Sequence, residues 1–305
     1  MCLLGERVRH DGGHKRDRYV TDTLARFFEW VPVCPEVEVG LGTPREAIHL
    51  VEREGEVRLV GVRSRTDHTE AMRRYARRRV EALAAERLSG FILKKDSPSC
   101  GLERVRVHQA PGSVSRTGRG LFAAALVERF PNLPVEEEGR LCDPRLRENW
   151  IERVFAYHRL QTLWATRWRI GDLVEFHTAH KLLLLAHSPQ HYARLGRLVA
   201  EARVRSAALR AQYEGEFMTA LTRLATRGRH ANVLQHILGH FRDRLDGPAR
   251  SSILGLIEDY RQGLVPLIVP LTLVAHYVRM LGIDYLARQV YLDPHPKELA
   301  LRNHV

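Results

Sequence analysis

Three cysteines lie beside short apolar stretches, in settings that suit thiolate chemistry. The stretch 97–101 reads Ser-Pro-Ser-Cys-Gly and lies shortly after an apolar run. A loop of this composition presents backbone N–H groups and suits an anionic cluster, a phosphate or a reactive thiolate. Cys34 follows the apolar stretch 31–33, and Cys2 precedes the pair 3–4. If all three follow strands of one parallel sheet, they converge at the edge where such folds bind ligands.

The composition limits the kind of protein. With 305 residues, 44% of them hydrophobic, the chain is long enough for about two domains with cores. Four cysteines are too few for a disulfide scaffold, and no stretch reads as a secretory signal peptide. We therefore expect a cytoplasmic, reducing location, where a small set of cysteines is metal-binding or catalytic more often than bridged. A single cysteine is still most often a small buried residue.

Positive charge is concentrated in the second half of the chain. The formal net charge is +12. Residues 145–305 contain 23 Lys and Arg against 14 Asp and Glu, a net +9, whereas residues 1–144 carry +3. This asymmetry favours a polyanionic partner, most simply nucleic acid, over a merely solvated basic surface. The apolar stretch 264–278 contains two prolines and is too short to cross a bilayer, so we expect no membrane segment.

The elements that must position the cysteines follow from the apolar patterning. In the first part of the chain, short apolar runs alternate with helical patterns. Strands are expected at 31–33, 57–62, 90–93 and 133–135, and helices at 21–30, 69–88 and 118–130. This alternation predicts an α/β fold whose N-terminal domain has a parallel, Rossmann-like sheet.

After about residue 139 the pattern is helical throughout. Asp143 and Pro144 are typical of the N-cap and the first residue of a helix. Helices are expected at 144–165, 170–186, 189–226 (one helix or two), 228–245, 248–262 and 266–282. The sequence therefore predicts an α/β domain over 1–141 and an all-α domain over 142–305.

The cysteine motifs, taken in order, resemble those of the TudS thiouracil desulfidase family. The matching stretches are 2–5 (Cys-Leu-Leu-Gly) with 9–13 (Arg-His-Asp-Gly-Gly), 33–36 (Val-Cys-Pro-Glu) and 97–101. Farther along, 176–181 (Phe-His-Thr-Ala-His-Lys) and 186–189 (Ala-His-Ser-Pro) resemble the YbgA-type helical domain. The fused arrangement is similar to that of bacterial desulfidases that remove sulfur from 4-thiouridine in tRNA.

This resemblance implies a [4Fe–4S] cluster held by Cys2, Cys34 and Cys100, with one iron free of protein ligands. It also implies that Glu36 is the general base for a water molecule and that Ser97 positions this water. The C–S bond of thiolated uracil is then hydrolysed without net redox change, giving uridine and hydrosulfide. The YbgA-type domain is expected to bind the RNA. Without the resemblance, Glu36 reads as a solvated loop residue and Ser97 as a loop cap.

Two other functions stay open. One is desulfidation of free thiouracil, with the helical domain serving oligomerisation. The other, from a different class, is a non-catalytic RNA-binding or iron–sulfur sensing protein. The basic second half argues against the first, and the presence of Glu36 and Ser97 beside the cysteine motifs argues against the second.

Other residues are less informative. Cys142 matches no motif and is interpreted as structural. His177 and His180 share one helix face and could bind metal, but roles in the core or toward RNA are favoured. Four aromatic residues could stack on unpaired bases, although core packing is the better interpretation: Trp164, Trp168, Tyr192 and Tyr213. The family pattern has an apolar strand before its first cysteine, so either such a strand lies upstream or it is missing here.

Overall fold

The computed structural model describes residues 1–109, 112–242 and 244–304. The chain divides into two compact units, Met1–Cys142 and Asp143–Val305.

Within the described residues, the first unit contains six strands in two small sheets. They are β1 (Ile48–Arg53), β2 (Glu56–Gly61), β3 (Phe91–Leu93), β4 (Val105–His108), β5 (Val114–Gly118) and β6 (Val135–Glu137). The larger sheet has the order β2-β1-β4-β5, and β3 pairs with β6. The β1–β4 and β3–β6 pairs are parallel, whereas β1–β2 and β4–β5 are antiparallel hairpins.

Helices cover these sheets with apolar faces. They are α1 (Pro35–Glu38), α2 (Thr69–Leu83) and α3 (Leu121–Arg129). On α2, Met72, Ala76, Val80 and Leu83 recur at helical spacing and are all buried, because one face of the helix packs on the core. The same core includes Phe122 of α3.

The expected α/β class of the first unit is confirmed, but its sheets are mixed rather than wholly parallel. The expected strand at 31–33 is wrong: these residues belong to no strand, and Pro32 lacks the N–H that a ladder needs. The expected helix at 21–30 is replaced by a π-helical turn at Tyr19–Thr23 and a 3₁₀ turn at Leu24–Arg26. The hairpin strands β1, β4 and β5 were not expected.

The second unit is helical, as predicted. Its helices are α4 (Pro144–Trp164), α5 (Ile170–His187), α6 (Pro189–Glu201), α7 (Ala207–Leu221), α8 (Arg227–Gly239), α9 (Gly247–Gln262), α10 (Ile268–Met280) and α11 (Asp284–Ala287). The stretch 189–226 forms two helices, because the chain leaves the helix after Glu201 and Ser206 caps α7. The helix expected over 228–245 ends at Gly239; position 243 of that range lies outside the described residues. No helix in the described part is long and apolar enough to cross a membrane.

Aromatic residues fill the centre of the second unit. His177 is buried, with Nδ1 3.2 Å from the Tyr213 hydroxyl oxygen, and His180 Nδ1 lies 2.7 Å from the Phe176 carbonyl oxygen. Tyr213 and the two neighbouring indoles are buried as well, so these side chains serve core packing. Aromatic rings pack against both histidines, with Tyr213 beside His177 and Phe176 and Phe217 beside His180, which favours the core role for both.

Candidate functional site

The loop that carries Cys100 takes its shape from α3. The carbonyl oxygen of Ser99 accepts hydrogen bonds from Phe122 N (3.0 Å) and Ala123 N (3.2 Å), and Gly101 O accepts one from Gly120 N (2.8 Å). A Cβ on Gly120 would lie 2.4 Å from the carbonyl carbon and oxygen of Ser99. Only glycine permits this contact, so the helix start and the cysteine loop fit together as one unit.

Cys34 sits at the start of α1, and a carboxylate fixes its backbone. The Cys34 N–H donates to Glu38 Oε1 at 2.8 Å, and Pro35 opens the helix. The other oxygen of Glu38 accepts a 2.9 Å hydrogen bond from the Tyr75 hydroxyl and lies 3.2 Å from Arg79 Nε. Glu38 thereby anchors the Cys34 turn on α2.

Cys2 lies in a 3₁₀ turn that ends at Gly5. Gly5 has φ 98°, a left-handed conformation that favours glycine. The Cys2 carbonyl oxygen accepts hydrogen bonds from the N–H groups of Gly5 (3.2 Å) and Lys15 (3.1 Å). The Met1 amine donates to Val33 O at 3.3 Å, which joins this turn to the segment before Cys34.

The structure brings the three predicted cysteines together. Burial raises the pKa of the Cys2 thiol, and the nearby Cys34 raises it further. Burial also raises the pKa of Cys34, and the Glu36 carboxylate adds to this. The pKa of Cys100 is raised well above its usual value by burial, then by Glu36, Cys2 and Cys34. Each thiol is therefore close enough to another to affect it electrostatically.

Glu36 lies beside these thiols with both carboxylate oxygens engaged. Oε1 accepts hydrogen bonds from the hydroxyls of Ser99 (3.0 Å) and Ser97 (3.4 Å). Oε2 forms an ion pair with the Arg45 guanidinium. Ser97 Oγ also accepts a 3.0 Å hydrogen bond from the N–H of Cys100. The same hydroxyl therefore both caps the loop and contacts the Glu36 carboxylate.

Arg45 and Ser99 are contacts of Glu36 that sequence reasoning missed. Ser99 is fully buried, and the Arg45 side chain is 5% exposed. Arg45 Nη1 also donates to the carbonyl oxygens of Val8 (3.0 Å) and Gly42 (2.8 Å). Arg45 thus ties the Cys2 and Cys34 segments to the loop at 40–46. Ser99 lies inside the motif at 97–101, so the sequence offered a reason to consider it as a site residue. Arg45 lies outside the motifs, and nothing in its spacing pointed to Glu36.

The donor set suits a soft metal group. Thiolates prefer iron, copper and zinc over hard cations. No three His, Cys, Asp or Glu side chains converge on a single-ion site within residues 1–109, 112–242 and 244–304. Thiolates are the usual ligands of iron–sulfur clusters, in which each thiolate binds a different iron, so the three cysteines fit such a cluster. The first unit therefore gathers three thiols beside a carboxylate that is held by two serines and an arginine.

Comparison with known proteins identifies the family. Residues 1–138 match the family model described as 2-thiouracil desulfurase, and residues 181–296 match that of a protein of unknown function, DUF1722. The chain therefore belongs to the 2-thiouracil desulfurase family through its first part and to the DUF1722 family, which includes YbgA, through its second. The resemblances expected from the motifs are confirmed.

Individual relatives agree with this division. The uncharacterized protein YbgA of Escherichia coli strain K12 is 32% identical over 161 residues, which are 52% of this chain and 95% of YbgA. The uncharacterized protein YbbK of Bacillus subtilis strain 168 is 32% identical over 130 residues, 41% of this chain and 85% of YbbK. A solved structure, the [4Fe-4S]-dependent thiouracil desulfidase TudS, is 33% identical, with a TM-score of 0.37, over 46% of this chain and 89% of TudS.

Proposed function

We propose that this chain is an iron–sulfur-dependent desulfidase that replaces the sulfur of a thiolated uracil with oxygen from water, with 4-thiouridine in tRNA as its substrate. The observation that carries the proposal is the position of Glu36. Its carboxylate lies beside three clustered thiols and is held by Ser97, Ser99 and Arg45. Membership of the 2-thiouracil desulfurase family supports the class of reaction.

Cys2, Cys34 and Cys100 are the residues that would hold a [4Fe–4S] cluster. When bound, such a cluster supplies an iron without a protein ligand, a Lewis acid that suits the soft thiocarbonyl sulfur. Cys142 is exposed, and we assign it no part in the site.

Side chains of the protein orient the attacking water and accept its proton. Glu36 Oε1 is the base that accepts a proton from water as the water oxygen attacks the carbon bearing sulfur. Ser97 orients that water, while Ser99 and Arg45 keep the carboxylate in place. The new C–O bond replaces the C–S bond, so C=S and H₂O become C=O and H₂S. The carbon keeps its oxidation state and no electron donor is needed.

The second unit is the basis for choosing tRNA over the free base. Residues 145–305 carry a net charge of +9. Binding a small uncharged base does not need such an excess of positive charge, whereas binding a polyanion such as tRNA does. Free thiouracil is the second candidate substrate, because the family description names 2-thiouracil.

The test is anaerobic incubation of the iron-loaded full chain with thiolated tRNA and, separately, with 2-thiouracil and 4-thiouracil. We expect the near-ultraviolet band of the thiocarbonyl to disappear from tRNA while hydrosulfide is released in equal amount. If only the free bases were turned over, the substrate would be free thiouracil and not tRNA. Absence of turnover with every substrate, at full iron content, would refute the desulfidase assignment and favour a binding or sensing protein.

A further inference from the structure

Two short segments of the second unit bring several arginines together. The stretch 165–171 runs from the end of α4 into the start of α5, and 202–210 runs into the first turn of α7; neither contains an aspartate or glutamate, although Asp172 and Glu201 border them. Together they contribute five exposed arginines, which we call the arginine corner: Arg167, Arg169, Arg203, Arg205 and Arg210.

Direct contacts join the two segments. Arg205 Nη1 donates to the Trp168 carbonyl oxygen at 3.3 Å, and its guanidinium carbon lies 6.0 Å from the centroid of the Trp168 ring. The guanidinium carbon of Arg210 lies 5.7 Å from the ring centroid of Trp164. The two indoles are buried and 4.9 Å apart. Two of the five cations are therefore supported by rigid aromatic rings and lose little freedom when they bind a ligand.

We propose that the arginine corner binds the phosphate backbone of tRNA; this inference rests on the function proposed above. The guanidinium fork matches phosphate oxygens in a bidentate way. Arg169 lies 3.7 Å from Asp172, yet its side chain is 86% exposed, so a phosphate can compete for it. Backbone contacts of this kind position an RNA without reading its sequence. A surface of this chemistry holds the nucleic acid, while recognition of the thiolated base is left to the first unit.

The composition of the corner favours RNA over other anionic partners. An amphipathic membrane-binding helix needs an apolar face as well as cations. Between residues 202 and 210, the large apolar side chain that is exposed is Val204, at 73%. The core of a stable protein interface is depleted of charge, whereas this corner is made mainly of charged groups. Phosphodiester contacts require neither an apolar face nor an uncharged core.

The experiment compares two triple variants of the full chain. The first, Arg167→Gln, Arg169→Gln and Arg203→Gln, leaves the stacked Arg205 and Arg210 in place. The control removes three exposed arginines elsewhere in the same unit: Arg242→Gln, Arg279→Gln and Arg288→Gln. Both lower the net charge by three. The probe is a fluorescently labelled, unmodified tRNA transcript, with its Kd measured by anisotropy over a range of salt, and circular dichroism verifies folding.

We expect the corner variant to weaken tRNA binding on the order of 10- to 100-fold and to reduce the slope of log K against log salt by about 2 to 3. The control should lose much less. If both triple variants lost tRNA affinity equally, the effect would be explained by net charge alone and the proposal would be overturned. Unchanged tRNA affinity in the corner variant, alone or with loss of binding to phosphatidylserine vesicles, would overturn it as well and, in the latter case, point to a membrane surface.

Wild-type turnover separates this inference from the proposed function. If wild-type chain desulfurates tRNA and the corner variant binds tRNA normally, the corner proposal fails while the desulfidase stands. If wild-type chain turns over no thiolated uracil but its tRNA affinity depends on the corner, the surface assignment stands and the desulfidase fails.

Discussion

The Ser99 hydroxyl donates a 3.0 Å hydrogen bond to Glu36 Oε1, and it is nearer to that oxygen than the Ser97 hydroxyl at 3.4 Å. The serine at the centre of the motif is therefore the stronger contact of the proposed base. Because Ser99 is fully buried, its hydroxyl keeps this partner rather than exchanging it for bulk water.

The first prediction concerns Glu36 and its serines. Glu36→Gln removes the base, and turnover should fall on the order of 100-fold or more. Ser99→Ala leaves the carboxylate less firmly held, and a smaller fall, on the order of 10-fold, is expected in kcat rather than in KM. Iron content should be unchanged in both, because neither residue is a proposed ligand; Ser113→Ala, at an exposed serine, is the control. Wild-type turnover in Glu36→Gln would exclude it as the base.

The second prediction concerns the proposed ligands. Cys34→Ala and Cys100→Ala should each abolish binding of the roughly four irons expected for the cluster, together with its broad visible absorbance. Cys142→Ala should keep both, since Cys142 has no place at the site. Iron and sulfide analysis after anaerobic reconstitution gives the answer. A cluster of normal stoichiometry in either of the first two variants would refute that ligand.

The third prediction concerns the glycine beneath the cysteine loop. In Gly120→Ala the new methyl group meets backbone atoms of Ser99 at 2.4 Å, and backbone cannot rotate away as a side chain can. We expect a loss of about 1–3 kcal/mol in the free energy of unfolding of the iron-free chain, by urea denaturation. Gly215→Ala, in the interior of α7 with open space around it, should be neutral or stabilise by up to about 1 kcal/mol. Equal stability of the two variants would contradict the close contact.

The fourth prediction concerns pH. Burial lowers the pKa of His177 and His295 to about 4 and that of His180 and His230 to about 3. An unfolded chain protonates these rings near pH 6.5, whereas the folded chain does not, so unfolding takes up protons below that pH. Each ring should therefore lower stability by about 1.4 kcal/mol per unit as pH drops from about 6.5 toward 4. Glu148, whose pKa burial raises to about 7, opposes this trend by about one proton, because the folded chain binds a proton there that the unfolded chain does not.

Urea midpoints measured at pH 7, 6 and 5 would give this slope. His180→Gln should reduce the slope of stability against pH by the amount expected for one proton, about 1.4 kcal/mol per pH unit. The control, His276→Gln, is at an exposed position and should leave the slope unchanged. The Glu152–His187 pair titrates mainly outside the range between pH 6.5 and 4.5. Because the pKa of Glu152 is lowered from 4.5 to about 2, its contribution is lost as pH falls through that range; because the pKa of His187 is raised, its contribution is lost as pH rises above 6.5. An identical slope for both variants would show that His180 does not titrate on unfolding.

Sequence patterning predicted the helices of the second unit well, because long stretches rich in buried apolar residues begin at clear N-caps such as Asp143 and Ser188. It predicted the first unit less well. Strand β5, Val114–Gly118, is mostly exposed and at a sheet edge, so it shows little apolar alternation. The stretch 31–33 looked like a strand through its two valines, but Pro32 prevents regular pairing.

The candidate site was only partly visible in the sequence. Cys2, Cys34, Cys100, Glu36 and Ser97 lie in recognisable motifs, and the structure brings them together. Their roles remain predictions that the proposed experiments address. Arg45 reaches Glu36 from a loop whose conformation depends on tertiary contacts to the Val8 and Gly42 carbonyl oxygens. Such contacts follow from three-dimensional packing, and no local spacing rule encodes them.

The hydrogen bonds from α3 to the cysteine loop have a consequence for biosynthesis. Since Ser99 O and Gly101 O accept the first N–H groups at the start of α3, the loop is shaped by polypeptide that leaves the ribosome after it. Cys100 therefore reaches its folded position only once residues up to about 129 have been synthesised. The order of assembly that follows is helix first and loop second, because the loop takes its shape from hydrogen bonds to the helix start.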